Sequence, residues 1–374
     1  MAERFLAIKL ADLGDALTAT PALRALRSSF PGATIDTLVT AVGAEVLSGL
    51  DSVDHLICFQ KASFDRLPPS LRPVGQALAL GMRLRRTGYT RVFLFHHLFT
   101  RAGRLKYAAL LGAIGAPWCA GCAEGKPAFL DAIYPDRGYG VCHEADYWLG
   151  VAGLAGAVNL NPRLEVRVDL LARARARQLL ATALDERSFR RVALYPGSGS
   201  YSLARRWPAE GYAQVGRDLI RQAKVEIVVV GGPREEDLAA QICRNVGPLA
   251  RNLAGATDLK MLAAVLESCD LLVGNDGGIM HLAVAVGTPV VAVFGPSNHR
   301  SWGPYQGVDW SSWLGAKSRH VIVRRDLACA PCLYRGYLPG TRFGCRSREC
   351  LTTLDATMVS EAALALLSAV RPAR

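Results

Sequence analysis

Two short apolar runs, Leu271–Gly274 and Pro289–Phe294, flank a segment with helical character that begins near Ile279. Apolar runs of this length are typical of buried strands, and a strand–helix–strand order is typical of a parallel βαβ unit. Parallel strands require such a crossover because a tight hairpin cannot join them. This feature therefore restricts the region to a parallel α/β sheet.

The turn after the first of these strands contains Asn275, Asp276, Gly277 and Gly278. Two glycines allow a ligand to approach the backbone, and the N-terminus of the following helix presents unpaired N–H groups and a partial positive charge. The turn therefore predicts an anion site, with phosphate as the favoured ligand. Asp276 would repel a phosphate, which indicates a neutral hydroxylated group such as a sugar beside it. The alternative is that Asp276 only caps the helix.

A second polar turn follows the apolar run Phe5–Leu10, which predicts the first strand of the chain. Asp15 comes next and lies at or near the start of a helix. We therefore expect Asp15 at the carboxyl end of the first strand, where open α/β sheets bind ligands, although it too could be a helix cap. Pro21 belongs in the first turn of a helix or marks a kink, because proline lacks an N–H group.

The strand–helix alternation occurs twice. It pauses near Asn161-Pro162, and a helix over Asp169–Leu184 leads into a second set that opens with the strand Arg190–Leu194. We therefore predict two α/β domains with parallel sheets, residues 1–168 and 169–374, and expect ligands in a cleft between them. Further strands are predicted at Ala33–Val39, Arg91–His96 and Val225–Val230, and further helices at Leu105–Ile114 and after Pro208 and Glu210.

The first turn of the second set reads Pro196-Gly197-Ser198-Gly199-Ser200. It resembles a dinucleotide fingerprint, but the third glycine is absent, so a nicotinamide site is poorly supported. Ser198 and the glycines of this turn remain candidates to line a phosphate. Arg205, Arg206 and Trp207 follow closely in the chain.

The 374-residue chain has a net charge of +12, and its basic residues are mostly arginine. No acidic residue occurs between Arg66 and Ala123. Such a segment predicts a surface for an anionic partner, and solvated arginines are the alternative. No recognised nucleic-acid-binding module occurs, so nucleic acid is not the expected partner. The basic residues of the segment are Arg66, Arg72, Arg83, Arg85, Arg86, Arg91, Arg101, Arg104 and Lys106.

The apolar stretches are too short to cross a membrane. The best of them, Met280–Phe294, contains His281 and a Gly-Thr-Pro break, whereas a span needs ~18 uninterrupted apolar residues. The first residues carry an acid and a lysine and do not form a secretory signal. These features predict a cytoplasmic protein that is at most peripheral to a membrane.

The chain has ten cysteines, which in a cytoplasmic protein predict thiols or a metal site rather than a disulfide framework. Cys329, Cys332, Cys345 and Cys350 lie in a loop, residues 329–350, that has little core of its own. Four thiolates could order this loop around a structural zinc or iron ion, and free thiols are the alternative. The pair Cys119 and Cys122 lacks a thioredoxin-like setting and is interpreted as structural.

With these residues in hand, the chain resembles glycosyltransferase family 9, the lipopolysaccharide heptosyltransferase family, over nearly its whole length. The resemblance implies a GT-B fold of two Rossmann-like domains facing across a cleft, with residues 1–168 binding the acceptor and residues 169–374 binding the nucleotide sugar. The motifs that carry it are Ile8-Lys9-Leu10 to Gly14-Asp15, Thr20-Pro21-Ala22-Leu23, Tyr195-Pro196-Gly197-Ser198, Arg205-Arg206-Trp207-Pro208, Gly231-Gly232-Pro233, Asn275-Asp276-Gly277-Gly278, His281-Leu282-Ala283, Gly287-Thr288-Pro289, Phe294-Gly295-Pro296 and Trp302-Gly303-Pro304.

The resemblance also implies roles for single residues. Asp15 would be the catalytic base of an inverting transfer. Arg205, which replaces a lysine of the family, would stabilise the leaving diphosphate, and Asp276 would contact the sugar. Gly277 stands where the family often has Ser or Thr, so a hydroxyl contact would be missing. The remaining donor-binding residues would be Ser198, Gly278, Ile279, Met280 and His281, and the alternative for His281 is that it only packs the helix.

The family implies ADP-heptose as the donor and the anionic Kdo–lipid A inner core as the acceptor, at the inner face of the cytoplasmic membrane. No cofactor is implied for the chemistry. A protein O-heptosyltransferase of the autotransporter type, in a branch that has a cysteine-cluster metal site, is the main alternative. A GT-B sugar-nucleotide epimerase and a non-catalytic binding protein are the others.

Overall fold

The structure is a computed structural model, and it describes residues 3–60, 71–181, 189–199, 202–307, 318–333 and 343–369, without the side chains of residues 71–78. Some sequence predictions fall outside these ranges. They are Arg66 and the side chain of Arg72, the end of the helix predicted to reach Leu184, Ser200, and positions 334–342 of the cysteine-rich loop. The chain divides into two compact units, Met1–Arg167 and Val168–Arg374.

The first unit contains a six-stranded parallel sheet with the order β3-β2-β1-β4-β5-β6. Its strands are β1 (Arg4–Lys9), β2 (Thr34–Val39), β3 (His55–Cys58), β4 (Arg91–His97), β5 (Cys119–Ala123) and β6 (Ala132–Pro135). Its helices are α1 (Leu13–Thr18), α2 (Thr20–Ser29), α3 (Ala41–Leu47), α4 (Leu71–Thr87), α5 (Arg101–Ile114) and α6 (Glu144–Gly153).

The second unit repeats this arrangement, with the order β12-β11-β10-β7-β8-β9 and all pairings again parallel. Its strands are β7 (Arg190–Tyr195), β8 (Val225–Val229), β9 (Ala250–Asn252), β10 (Leu271–Asn275), β11 (Val290–Phe294) and β12 (His320–Arg324). Its helices are α7 (Leu170–Leu180), α8 (Ala209–Gln222), α9 (Glu236–Val246), α10 (Leu259–Glu267), α11 (Gly278–Ala285), α12 (His299–Trp302), α13 (Glu349–Thr352) and α14 (Ala356–Ala369).

Both sheets have the strand order of a Rossmann fold, in which the order reverses between the first and fourth strands of the unit. The predicted fold class, α/β with two Rossmann-like parallel sheets, is confirmed. Apart from Arg4 at the start of β1, the strands β1, β10 and β11 are buried along their length, as expected where helices cover both faces of a parallel sheet. This burial is why they read as short uninterrupted apolar runs in the sequence.

The helix ends agree with the local chemistry. Pro21 lies in the first turn of α2, where its missing N–H would have had no intrahelical partner. Asp169 is the N-cap of α7 and accepts a hydrogen bond from Ala172 N at 2.7 Å. Across the described ranges, no helix combines the length and hydropathy that a membrane crossing requires.

Candidate active site

Asp15 lies one short turn after β1, in the first turn of α1. Asp12, not Asp15, occupies the N-cap position, so the alternative reading of Asp15 as a helix cap is wrong. The side chain of Asp15 is 38% exposed. A carboxylate in this position is available to a ligand at the point where the strand order of the first sheet reverses.

Lys9, the last residue of β1, supports Asp15 from inside the protein. Its side chain is 1% exposed, and its Nζ lies 3.4 Å from Asp15 Oδ1. The same Nζ lies 4.0 Å from the centre of the Trp148 ring on α6, an attractive cation–π contact. A buried ammonium requires such partners, because losing its water shell is costly. The pair therefore holds one carboxylate oxygen of Asp15 and leaves the other available.

The backbone around this carboxylate is also anchored. Trp148 Nε1 donates to Thr18 Oγ1 at 3.2 Å, and Thr18 Oγ1 donates to Asp15 O at 2.7 Å. On the strand side, Leu10 N donates to His96 Nε2 at 2.7 Å. These bonds fix the turn on both sides of Asp15, so little conformational freedom remains to be lost when a substrate binds.

In the second unit, Asn275 at the end of β10 organises three segments. Its side chain is fully buried; Nδ2 donates to Pro196 O at 2.8 Å and to Gly197 O at 3.0 Å. Its Oδ1 accepts from Trp207 N at 3.1 Å. The amide thus joins the turn after β7, the Arg-Arg-Trp segment and β10. The sequence motif contains Asn275, but nothing in its spacing revealed this role.

Arg205 and Asp276 form an ion pair, with Arg205 Nη1 3.2 Å from Asp276 Oδ2. The second terminal nitrogen of Arg205, Nη2, donates to Ser198 O at 2.7 Å. The side chains of Arg205 and Asp276 are 15% and 5% exposed, so the pair is largely withdrawn from solvent. Gly277 is the N-cap of α11, and the alternative reading of Asp276 as a helix cap is therefore wrong.

The start of α11 presents its backbone rather than its side chains. The side chains of Ile279, Met280 and His281 are buried, and His281 packs edge-on against Trp302 with ring centres 6.1 Å apart. The first amides of a helix have no intrahelical partner, so those of Gly278 and Ile279 are the atoms with which this end could bind a phosphate. Any contact by the predicted donor-binding residues 277–281 is thus through N–H groups.

Gly277 is a glycine for a steric reason. Its φ of 175° is extended and suits any residue, so its backbone conformation does not require glycine. A Cβ atom at this position would lie 2.9 Å from Tyr195 Oη and 3.0 Å from Tyr195 Cε1. The Tyr195 ring therefore fills the space that a Ser or Thr side chain would need. Burial raises the pKa of the Tyr195 hydroxyl, so it remains a neutral donor at physiological pH.

The other residues of the turn after β7 are held by internal bonds. Ser198 is buried, and its hydroxyl donates to Ser202 O at 2.9 Å. Arg206 Nη2 lies 2.8 Å from Glu235 Oε1, and Gly232 N donates to Glu235 Oε2 at 2.9 Å. Ser198 therefore shapes the loop in this structure, and its predicted contact with the donor stays a prediction.

The described part of the acid-free segment contains two groups of cations: Arg91 and Arg104, which bond to the protein itself, and a set of exposed residues. Arg91, at the start of β4, pairs with Glu3 at 2.9 Å and stacks near Phe5, Phe30 and Trp118, away from the carboxyl ends of the strands. Its role is structural. By contrast, Arg83, Arg85 and Arg86 on α4 and Arg101 and Lys106 on α5 are exposed.

None of the ten cysteines, all of which lie in described ranges, forms a disulfide, as predicted. Of the four loop cysteines, Cys329 and Cys345 are exposed, Cys332 is half-buried and Cys350 is buried. Burial, followed by the charges of the other three thiols, raises the pKa of Cys350 to about 11. The four are thus within electrostatic reach of one another. The sulfur atoms of these four cysteines are not all within 4.8 Å of one another. In the described part of the chain, the ligand atoms of His97, Cys122 and Asp136 do lie this close together.

Comparison with known proteins identifies the family. A model of glycosyltransferase family 9 (heptosyltransferase) matches residues 77–333. Lipopolysaccharide heptosyltransferase 2 of Salmonella typhimurium is 24% identical over 307 residues, which cover 76% of this chain and 81% of that protein.

Solved structures agree in fold. A family 9 glycosyltransferase from Veillonella parvula has a TM-score of 0.76 at 22% identity, and the match covers 98% of each chain. The ADP-heptose lipopolysaccharide heptosyltransferase II of E. coli has a TM-score of 0.71 at 20% identity, covering 98% of this chain and 99% of that chain. The predicted GT-B fold is thereby confirmed. The chain belongs to glycosyltransferase family 9 and is a glycosyltransferase.

Proposed function

We propose that this glycosyltransferase moves a heptose from ADP-heptose to the anionic inner core of a lipopolysaccharide, with inversion at the anomeric carbon. The observation that carries the proposal is the half-exposed Asp15 carboxylate, held by the buried Lys9 at the end of β1. The proposal is supported by membership of a heptosyltransferase family and by the name of the Salmonella relative, a lipopolysaccharide heptosyltransferase.

The transfer is a single displacement. The acceptor oxygen forms a bond to the anomeric carbon while the bond from that carbon to the diphosphate oxygen breaks, and ADP leaves with the electron pair. Asp15 takes the proton of the acceptor hydroxyl as general base. Lys9 already pairs with Oδ1 of that carboxylate, so Oδ2 is the oxygen that receives the proton.

Arg205 stabilises the leaving group on this proposal. Its guanidinium is held from two sides by Ser198 O and Asp276 Oδ2, which fixes the positive charge beside the turn that would meet the diphosphate. The fixed guanidinium and the amides at the start of α11 stabilise the negative charge that develops on the leaving ADP. Asp276 contacts a hydroxyl of the sugar with the oxygen that does not face Arg205.

We further propose that the anionic acceptor meets the exposed arginines and lysine of α4 and α5, at the inner face of the cytoplasmic membrane. Exposed apolar side chains accompany these cations: Leu105 is 72% exposed, and Met82 and Phe99 are also exposed. Mixed basic and apolar surface of this kind suits an anionic lipid interface. Sedimentation with anionic liposomes, but not with neutral ones, and its loss in Leu105→Glu would support this part of the proposal.

We also propose that the four loop cysteines hold a structural zinc or iron ion. Burial, and after it the charges of the neighbouring thiols, raises the pKa of Cys332 and of Cys350, and a bound cation would offset both effects by stabilising the thiolates. Metal analysis of the purified protein tests this. Loss of one equivalent in Cys329→Ser/Cys332→Ser is expected, and an unchanged metal content would contradict it.

The activity test is an incubation of purified protein with ADP-heptose in three arms: a heptose-free lipid A inner core, an autotransporter-type protein, and no acceptor. The expected result is glycolipid product with one ADP released per heptose transferred. Product on the protein alone would favour the alternative acceptor, and a changed donor without acceptor would favour an epimerase. Absence of turnover in all three arms would contradict the proposal.

A further inference from the structure

A second group of reactive side chains lies in the first unit, around His97 at the end of β4. His97 Nδ1 lies 2.7 Å from Asp136 Oδ2, and His97 Nε2 lies 2.9 Å from Glu144 Oε2. The three side chains are between 2% and 8% exposed. One imidazole thus faces two carboxylates inside the protein, on opposite sides of its ring.

Cys122 completes the group. Its Sγ lies 3.6 Å from His97 Nδ1, and the ligand atoms of His97, Cys122 and Asp136 all lie within 4.8 Å of one another. Cys122 is fully buried on β5, directly opposite His97 in the register of β4 and β5. The pairing is irregular between Leu94 and His97, and this irregularity accompanies the position of the imidazole beside the thiol.

The topology explains why these residues meet. His97 ends β4, Cys122 lies near the end of β5, and Asp136 follows β6 directly. The carboxyl ends of adjacent parallel strands share one edge of the sheet, so three residues distant in sequence converge there. Glu144 opens α6 and approaches the outer nitrogen of the same ring.

The kinds of ligand atom in this group indicate a metal site. Imidazole nitrogen, thiolate sulfur and carboxylate oxygen are the three ligand types of zinc, and two of them favour borderline-soft transition ions over magnesium or calcium. A carboxylate on the outer nitrogen of a ligating histidine is the usual outer-shell arrangement, which fixes the tautomer of the ring. We propose that His97, Cys122 and Asp136 bind a divalent transition ion of the zinc class, with Glu144 orienting the imidazole.

Charge and protons balance in this step. An imidazole that donates from both nitrogens to two carboxylates carries two protons, and the thiol carries one. Binding replaces the proton on Nδ1 and the thiol proton with the divalent ion, so two protons leave per ion bound. The Nε2 proton stays between the ring and Glu144.

The ion would join β4, β5, the segment after β6 and, through Glu144, helix α6. The same helix carries Trp148, whose ring packs 4.8 Å from the ring of His97 and supports Lys9 at 4.0 Å. The site is therefore separated from the Lys9–Asp15 pair by one indole. Its role is structural: it holds the helix that supports the proposed catalytic carboxylate.

The test uses the full chain carrying Cys329→Ser and Cys332→Ser, which removes the other proposed metal site. The protein is stripped with a chelator and titrated with Zn²⁺ and with Co²⁺. We expect one equivalent to bind and Co²⁺ to give a thiolate-to-metal charge-transfer band. Both should be lost in Cys122→Ser and kept in Cys119→Ser, a matched control on the same strand whose side chain packs in the apolar core. Glu144→Gln should bind one equivalent about 10–100-fold more weakly.

X-ray absorption at the zinc edge of the Cys329→Ser/Cys332→Ser protein gives an answer that does not depend on changing Cys122. One sulfur with nitrogen and oxygen ligands supports the proposal. Binding of less than about half an equivalent, or a spectrum with sulfur ligands alone, would overturn it. Equal binding by folded Cys122→Ser and Cys119→Ser proteins would overturn it as well.

Discussion

The two units share a strand order, and in each the candidate site lies where that order reverses, yet the two sites expose their carboxylates differently. Asp15 in the first unit is 38% exposed and has its lysine buried behind it. Asp276 in the second unit is 5% exposed and has its arginine beside it. A proton acceptor must reach a substrate hydroxyl, whereas an acid that fixes a guanidinium and one sugar hydroxyl need not be open. The difference in exposure therefore matches the proposed difference in role.

The same comparison holds for the cations. Lys9 contacts a carboxylate and an aromatic face and is wholly internal. Arg205 donates from both of its terminal nitrogens, to Ser198 O and to Asp276 Oδ2. A compact ammonium is suited to hold one oxygen, and a planar guanidinium is suited to join a loop to a ligand. Each prediction below tests one side of this contrast.

The largest expected effect is that of Asp15→Asn. Without a general base, kcat should fall by about 10²–10⁴-fold, while binding of ADP-heptose to the second unit should change little. Steady-state kinetics and donor titration by calorimetry measure the two quantities. Asp12→Asn removes the same charge from the same turn and should keep most of its activity. Near-normal turnover by Asp15→Asn would exclude it as the base.

Arg205→Ala should lower kcat by about 10²–10³-fold, as expected for loss of one preorganised donor to developing charge. Arg205→Lys should lose less, because an ammonium keeps the charge but not both contacts, to Ser198 O and Asp276. The measurement is kcat with saturating donor. If lysine were fully equivalent to arginine here, the two-sided hold on the guanidinium would have no catalytic value.

Lys9→Met keeps the length of the side chain and removes its charge. The Asp15 carboxylate then loses its fixed partner, and a misplacement of about 1 Å can cost about 10²-fold in kcat. Donor affinity should be unchanged, which separates this variant from Arg205→Ala. Circular dichroism verifies folding, and a fall in kcat no greater than twofold would show that Lys9 only fills space.

Gly277→Ser should destabilise the second unit by about 1–3 kcal/mol, because the new Cβ overlaps the Tyr195 ring. In a Tyr195→Val background the same serine should cost at least about 1 kcal/mol less. Urea unfolding of the four proteins of this cycle measures the coupling. Gly112→Ser, where a Cβ meets open space, is the control. If the two changes in the free energy of unfolding were additive, a side chain at position 277 would not overlap the Tyr195 ring.

The smallest expected effect is a loss of folding stability when the pH is lowered. Burial lowers the pKa of His320 to about 3, and burial also lowers the pKa of His299 to about 4. In the unfolded chain histidine titrates near 6.5, so between pH 7 and pH 5.5 the unfolded state gains protons that the folded state does not. Each histidine should therefore cost about 1 kcal/mol of stability over this interval. Urea unfolding at pH 7 and at pH 5.5 should show a smaller loss of stability for His320→Gln than for the unchanged protein. An equal loss in the two proteins would contradict the role given to His320.

Much of the fold was predictable because burial on both faces of a parallel sheet leaves short apolar runs. The predicted strands at Arg91–His96 and Leu271–Gly274 each end one residue before the observed ends. The places of Asp15 and Asp276 after β1 and β10 were also predictable from sequence, since each follows such a run closely; their roles stay predictions. The role of Asn275 could not be found, because its three partners come from distant segments.

The His97 cluster was missed for the same reason. Cys122 was interpreted as structural, and neither His97 nor Asp136 stands in a spacing typical of metal ligands. Their convergence depends on the pairing β4-β5-β6 and on one irregularity in that pairing. Local sequence carries almost no information on such register details, so only the folded sheet reveals the group.

The side chain of Tyr195 packs closely against three glycines. A Cβ at Gly197, Gly274 or Gly277 would lie within 3.0 Å of an atom of this side chain. Three backbone positions, in the turn after β7 and around the end of β10, therefore lack a side chain next to one aromatic residue. At Gly277 alone every close contact is with the ring or hydroxyl of Tyr195, so in evolutionary terms these two positions form a single character: a serine at Gly277 becomes acceptable only after Tyr195 has changed. Relatives that carry a hydroxyl at the position of Gly277 should therefore have a smaller residue at the position of Tyr195, and the two should change together within the family.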